Sequence, residues 1–353
     1  MEKQVRKKTL FYGLVAILFA STLGMLIYAP GVFRPGLNPA SSPIPAARST
    51  FLSTFASVEA LKGFLKNNSQ TQGPFSFYSS SDLKVFSTPT MLAAIPAQAQ
   101  AVGAYAENVQ HSTTNVQVTG VDEADTVKVD DNGYMYVLSG DTVYILTAYP
   151  PTQAEVVAKI KFDDMYAVGI FVSGNRLVVL GSKYDLPVYA YPYYSSSGLN
   201  VTTYLRLYDI SDKSHPVLIK EFTSAGSYFN SRMIGDYVYF VTSEPAYIVG
   251  DAVPLPEISQ NGEITEIPPT QIHYFNGTDE YYEYTTFVAL NIQNTTEAPV
   301  YLTVMLGGTS NMYVSQDNMY VTFQDWYWGG NTTIYRIHLQ ASNMTFEASG
   351  KIP

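Results

Sequence analysis

Cysteine is absent from the 353-residue chain. That excludes disulfides, thiolate metal sites and a cysteine nucleophile, so stability must come from a core. Charge is scarce too: Asp, Glu, Lys and Arg make up 14%, against a usual quarter. The net charge is −10, and the basic residues after Arg34 are scattered. Phosphate binding needs clustered Lys and Arg, so nucleic acid is not an expected partner. The 4 His residues, at 111, 215, 273 and 338, show neither H-x-H nor H-E-x-x-H spacing, and a metal hydrolase is not signalled. No G-x-S-x-G nucleophile elbow occurs. Tyrosine, by contrast, is abundant at 29. The surface these numbers describe is neutral and hydroxyl-rich. It would suit an exterior at low pH, where carboxylates lose their charge.

Long uncharged apolar runs are also missing, except at the start. Lys3, Arg6, Lys7 and Lys8 precede Leu10–Ala29, a stretch of about twenty residues that can cross a bilayer as one helix. Positive charge on its N-terminal side keeps that end in the cytoplasm. The expectation is a signal-anchor over 1–30 with everything after Pro30 outside. The alternative is a cleaved signal peptide, but its apolar core is usually shorter and ends in an A-x-A-like site. N-x-S/T sequons at Asn67, Asn200, Asn276, Asn294, Asn331 and Asn343 fit an exported, glycosylated chain whose acceptor residues face solvent.

Residues 31–112 read as a stalk rich in Pro, Ser and Ala. A short helix is expected near 57–66, capped by Ser57, with Leu61, Phe64 and Leu65 on its apolar face. From Thr113 the texture changes to short β-rich runs between turn residues. Tyr134–Leu138 follows Asp131-Asn132-Gly133, and Leu177–Leu180 follows Gly174-Asn175. Tyr237–Val241 follows Gly235-Asp236, and Met319–Phe323 follows Asp317-Asn318. Each run is apolar on nearly every residue, the pattern of a strand covered on both faces. Third strands follow at Val143–Leu146, Tyr204–Tyr208, Phe287–Leu290 and Ile334–Ile337, and a less apolar fourth strand closes each unit. The first two turns lie about 41 residues apart, the size of one four-stranded propeller blade.

The expectation is therefore an all-β fold, a β-propeller with four visible blades at about 113–163, 164–224, 225–306 and 307–353. An antiparallel sandwich is the competing architecture. Two stretches, 182–202 and 244–285, read as loop insertions between second and third strands. Propellers have about 4–8 blades and close into a ring. Four blades make a cramped ring, so further blades or a second chain are expected to complete it.

Thr114–Lys128 reads TNVQVTGVDEADTVK. This string, followed by Asp-Asn-Gly and a Tyr-x-Tyr-Val strand, resembles the start of the secreted β-propeller domain family of archaea and bacteria. The resemblance runs over roughly 50–353. It implies a propeller in an exported, usually membrane-tethered protein, and no particular activity.

The candidate sites are few. Asp122, Glu123 and Asp125, with Asp130 and Asp131 close by, form the one dense acidic group. As a site it would suit Ca²⁺, although the EF-hand spacing fails because the first ligand position falls on Lys128. The structural alternative is that the group shapes the first strand and pairs with Lys128. Asp209–Pro216 reads as a turn between third and fourth strands, with no partner in view for His215. Trp326, Tyr327 and Trp328 lie in a Gly-rich loop of the fourth blade, and Tyr191, Tyr193 and Tyr194 in the insertion of the second. Such rings either pack over a blade rim or stack on sugars and partner proteins. The leading expectation is a non-catalytic surface module for adhesion or envelope assembly, binding a surface glycan or envelope protein. The alternative is an extracellular polysaccharide or peptide hydrolase with carboxylates on the central face.

Overall fold

The computed structural model describes residues 52–68, 116–185, 200–275, 282–307, 309–324 and 332–352. The expected anchor at 1–30 and most of the expected stalk at 31–112 lie outside them. Among the described residues no helix is long and apolar enough to cross a membrane.

The chain enters with β1 (Ser53–Thr54) and α1 (Val58–Asn68). Ser57 caps the helix through its Oγ, 3.2 Å from the Ala60 amide. This is the predicted helix, and Leu61 and Leu65 are fully shielded on its inner face. β2 (Val121–Glu123) follows. Four antiparallel units come next. Blade one is β3 (Val127–Val129), β4 (Tyr134–Ser139), β5 (Thr142–Thr147) and β6 (Glu155–Lys161). Blade two is β7 (Tyr166–Ser173), β8 (Arg176–Asp185), β9 (Asn200–Asp209) and β10 (Val217–Ala225).

Blade three opens with β11 (Ser227–Ile234) and β12 (Tyr237–Ala246). An insertion holds β13 (Glu257–Gln260), β14 (Glu263–Glu266) and β15 (Ile272–Tyr274). The blade then ends with β16 (Tyr282–Asn291) and β17 (Val300–Leu306). Blade four is β18 (Thr309–Val314), β19 (Asn318–Gln324), β20 (Thr332–Gln340) and β21 (Asn343–Ile352). The four-by-four grouping matches the sequence reading.

The insertion at 244–285 is not the loop that was expected. Asn261 and Gly262 both have positive φ, 53° and 90°, and make the two-residue turn of the β13–β14 hairpin. That hairpin leaves its own blade and pairs with β10 at the outer edge of blade two, Phe222 opposite Gln260. β15 pairs parallel with β17 and antiparallel with β1. The segment 52–68 is thereby built into blade three, with Phe55 stacked on Tyr274 at 4.1 Å. The Asn-Gly signal was present, but its flanking strands are only four residues long and bounded by glutamates.

Three apolar clusters join successive blades. One lies between blades one and two and includes Tyr136, Ile145, Ile170 and Val179. A second lies between two and three, with Phe222, Phe240 and Val288, and takes in α1. The third lies between three and four, with Val304, Val321 and Phe346. Among the described residues no such cluster joins blade four to blade one. Coverage of the second strands follows from this. Leu177, Val178, Val179 and Leu180 of β8 are all 0% exposed, so both faces are covered. In β4 and β19 burial alternates, so the apolar sequence of these two strands is covered on one face only. The expectation of two covered faces holds for blades two and three and not for blades one and four.

One close approach sets the spacing of the inner edges. A Cβ on Gly169 of β7 would lie 2.9 Å from the Ala124 Cβ. The Gly169→Ala substitution is expected to destabilise the domain by about 1–3 kcal/mol through overpacking. Chemical unfolding measures it, and an unchanged midpoint would show that residue 124 moves freely.

Candidate functional site

The innermost strand edges of a propeller line its centre, and here they are occupied by the segment that precedes blade one. It starts at blade four, where the Gln316 side chain donates to the Thr119 carbonyl at 2.8 Å. Gly120 turns the chain with φ 81°. β2 then runs antiparallel to β11 of blade three, Glu123 opposite Arg232. Ala124 passes over Gly169, and Asp125 exchanges backbone bonds with Ile170 of blade two, at 3.3 and 2.9 Å. The segment finally becomes β3 of blade one. It therefore touches the blades in the order four, three, two, one.

Two ion pairs hold it. Lys128 is only 4% exposed. Its Nζ lies 2.7 Å from Asp122 Oδ1 and 2.8 Å from the Glu123 carbonyl, beside the Phe171 ring at 5.9 Å. Glu123 pairs with Arg232 at 3.1 Å, and Arg232 also donates to Asn230 Oδ1 at 2.7 Å. Asp125 Oδ1 accepts from the Thr126 amide at 2.7 Å. One carboxylate oxygen of each of Asp122, Glu123 and Asp125 is thus engaged by a cation or an amide. Among the described residues no group of three or more His, Asp or Glu side chains is arranged to hold a metal ion. The pairing with Lys128 is the structural alternative stated from the sequence.

Antiparallel topology sorts the connections to two ends. First-to-second and third-to-fourth strand turns share one end, and there the blades latch together. Lys213, in the third-to-fourth connection of blade two, lies 3.5 Å from Asp130 in the first turn of blade one. Gln293, in the same connection of blade three, donates to the Ser173 carbonyl of blade two at 3.2 Å. Tyr239 of blade three donates to the Ala341 carbonyl of blade four at 2.6 Å. Within the 209–216 turn Asp209 accepts from the Ser211 amide at 2.8 Å. His215, which had no partner in view, has Asp212 at 2.8 Å from its Nδ1.

The other end carries the second-to-third connections. Trp326, Tyr327 and Trp328 and Tyr191, Tyr193 and Tyr194 lie outside the described residues. What is described at this end is a pair the sequence reading missed. Tyr166, 71% exposed, begins β7, and Tyr184, 37% exposed, stands near the end of β8. Their rings are 6.1 Å apart, at the root of the connection that carries Tyr191. Lys183 and Asp185 pair beside them at 3.0 Å. A lone Tyr in Asp-Met-Tyr-Ala gave no sign of this, because the partner ring comes from the next strand.

At the same end Glu244 of β12 has a carboxyl oxygen closed off from solvent and without a hydrogen-bond partner, although the residue as a whole is half-buried. Burial, with the Glu257 charge adding to it, pushes its pKa from the ordinary 4.5 up to about 8. Of the six sequon residues, Asn67, Asn200, Asn294 and Asn343 are described, and all are exposed. Asn276 and Asn331 lie outside the described residues.

This fold is a β-propeller built from an inner-edge segment and four-stranded blades. The chain belongs to the Beta propeller domain family, whose model matches residues 111–353. An uncharacterized protein of Archaeoglobus fulgidus is 25% identical over 314 residues, 81% of this chain and 44% of that protein. One of Methanocaldococcus jannaschii is 25% identical over 226 residues, 62% of this chain and 30% of that protein. The chain thus spans less than half the length of the curated relatives it matches. No solved structure matches it.

Two outcomes are expected. Asp122→Ala strands a buried ammonium and should cost about 3–5 kcal/mol, whereas pairing it with Lys128→Met should restore most of the loss. Urea unfolding of the three variants measures this, and equal losses in single and double variants would refute the pairing. For Glu244 the folded pKa lies above the unfolded one, so the unfolded state binds fewer protons between the two values. Stability should be full below about pH 4.5 and fall as pH rises toward about 8. Glu244→Gln should flatten that fall, read from melting temperatures across the range.

Proposed function

We propose that the protein is an extracellular, membrane-anchored propeller that binds a surface glycan or an envelope protein and performs no catalysis. Propeller domains serve in general as binding and interaction modules, and ligand contacts concentrate on loops held by a rigid scaffold. The observation that carries the reading is the Tyr166–Tyr184 pair. Two exposed rings 6.1 Å apart, with a charged pair beside them, form an apolar platform with hydrogen-bonding groups at its rim. Aromatic faces of this kind stack on sugar rings or bury against a partner protein. The connection carrying Tyr191, Tyr193 and Tyr194 leaves from this platform at Asp185 and returns at Asn200. The connection carrying Trp326, Tyr327 and Trp328 leaves Gln324 at the same end of blade four.

Export is supported by the apolar run Leu10–Ala29 behind Lys3–Lys8 and by the exposure of the four described sequon residues. The non-catalytic reading is supported by the inner edge, where the carboxylates of Asp122 and Glu123 sit in ion pairs with Lys128 and Arg232. A hydrolase acting at the inner edge would need two carboxyl groups there free to face a substrate.

The test is retention on isolated cell-envelope polysaccharide and envelope protein. Tyr166→Ala with Tyr184→Ala, and separately Trp326→Ala with Trp328→Ala, should each lower retention at least tenfold. Unfolding midpoints should stay close to the parent, since exposed side chains contribute little to stability. Undiminished retention in both variants would remove the loop end from the proposal. Release of sugar or peptide fragments from the same material would turn the reading to a hydrolase.

A further inference from the structure

Blades two and three are joined twice, once by their facing cores and once by the hairpin that crosses from one to the other. β13 and β14 leave blade three and lie along the outer edge of blade two, with Thr223 opposite Ser259 and Ser224 opposite Ile258. The tip is well held. The Asn261 amide donates to the Glu221 carbonyl at 2.8 Å, and the Glu221 amide donates back to Asn261 Oδ1 at 3.0 Å. The root closes through the Ile267 amide on the Pro256 carbonyl at 2.8 Å. Ile258 and Ile267 enter the core between the two blades.

Glu244 stands at that root. On β12, Phe240 packs on Phe222 at 5.9 Å and Thr242 meets Ser224 at 3.0 Å, so strand alternation turns Glu244 to the same blade-two face. Tyr284 lies opposite it and donates to the Pro254 carbonyl at 3.2 Å, on the chain that leads into β13. Space is short: a Cβ on Gly226, between β10 and β11, would lie 3.0 Å from the Glu244 amide nitrogen. Glu244 Oε2 is closed off there without a hydrogen-bond partner, as is Gln260 Oε1 of β13. An ionised carboxylate in such a place needs a cation or donors to offset its lost hydration. Among the described residues the surrounding elements bring acids and tyrosines instead. β13 brings Glu257, whose charge acts on Glu244, and β14 brings Glu263 and Glu266. β16 turns Tyr282 and Tyr284 to the same face and Glu283 to the other. β11 brings Tyr228, bonded to Ser231, and β8 of blade two brings Tyr184. Residues 223–226 and 253–256 contain no titratable side chain. Of the cations on neighbouring elements, Lys62 of α1 is paired with Asp251 and Arg232 of β11 with Glu123.

We propose that the β13–β14 hairpin is an acid-closed clasp between blades two and three, seated while Glu244 keeps its proton and lifted at its root when that proton is lost. Protonated, the carboxyl is a neutral group in a closed cleft. Ionised, it sets a second negative charge beside Glu257 with no cation to meet it, and the relief is to admit water. β12 is paired along its whole length with β16. The hairpin is held to blade two only over Glu221–Ser224 of β10, so it is the part free to yield. The proton sets the direction. In the seated form the Glu244 pKa lies at about 8, and water in the lifted form returns it toward 4.5. The lifted form therefore binds fewer protons between those values. Lifting becomes easier as pH rises through that window, about tenfold per pH unit for one proton, and levels off above it. The inference is independent of what the loop end binds.

The experiment is hydrogen–deuterium exchange of the purified full chain, read by peptide across a pH series, each rate divided by the intrinsic rate of its sequence at that pH. Peptides covering 257–266 should gain corrected exchange by roughly a hundredfold or more between about pH 5 and 8, and little above. Peptides of β8 and β9 should stay level over the same range. Glu244→Gln carries no proton to lose, so its hairpin should stay protected and its corrected profile flat. Glu257→Gln removes the like charge and should shrink the rise. The parent profile is informative without either variant, so a variant that fails to fold does not decide the matter. A flat corrected profile for 257–266 in the parent would overturn the proposal. A rise shared equally by β8 and β9 would be loosening of the whole domain and would overturn it too, as would a rise that persists in Glu244→Gln.

Discussion

The ammonium of Lys128 against the carboxylate of Asp122 is the contact on which the arrangement of the blades depends. It lies where blade one, the inner-edge segment and the Phe171 ring of blade two meet. A lysine 4% exposed must keep a counter-charge there, because an unpaired buried ion costs several kcal/mol. That requirement ties the segment to Lys128 of β3, while pairing with β11 sets Glu123 opposite Arg232 and Ala124 lies over Gly169. The TGVDEADTVK string is specific because each member meets a different neighbour. Gly120 makes the turn, Val121 enters the core of blades three and four, and the next residues meet blades three, two and one in succession.

A propeller has little to hold blades together except faces, and faces alone tolerate sliding. The connections at the latch end remove that freedom. Asp130 shows how much one turn residue can do. Its carboxylate accepts from the amides of Asn132 and Tyr134 at 3.0 Å each and from the Tyr136 hydroxyl at 3.0 Å, and it faces Lys213 of the next blade. The same residue thus shapes its own hairpin, anchors a core tyrosine and sets the angle to the neighbouring blade. The acidic group that looked like one cluster in the sequence is divided between two tasks, register at the inner edge and latching at the turn end.

Much of the fold was legible because blade strands are short and punctuated. Turn pairs such as Asp131-Asn132-Gly133 and Gly174-Asn175 announce hairpins through their need for positive φ, and the runs after them announce burial. Pairing across distance was not legible. The β13–β14 hairpin joins blade two although it lies within blade three. β15 joins parallel to β17, and β1 reaches it from the stalk. Local patterns cannot report such partners, because the hydrogen bonds connect residues up to hundreds apart. The Tyr166–Tyr184 pair was missed for the same reason. His215 was missed for the opposite one: its partner, Asp212, sits three residues away, and a turn motif read only for backbone bonding overlooks the side-chain contact.

The two ends of the blades answer different constraints, and this is why the loop end is the place to seek binding. At the latch end Asp130, Asp209, Asp212 and Gln293 are engaged by their own hairpin or by the next blade, so change there would alter blade geometry. At the loop end the constraint differs from blade to blade: the connection of blade three joins blades two and three through β13–β14 and β15, whereas 14 residues, 186 to 199, separate β8 from β9. Tyr166 stands 71% exposed there, and one Glu244 oxygen has no hydrogen-bond partner. Burial of Glu244 favours its protonated form, so its own contribution to stability falls toward alkaline pH, whereas Asp209, held low by its bonds to Ser211 and Arg176, contributes in the opposite sense. The ion pairs of Lys128, Arg232 and Lys213 sit where the inner-edge segment and neighbouring blades meet.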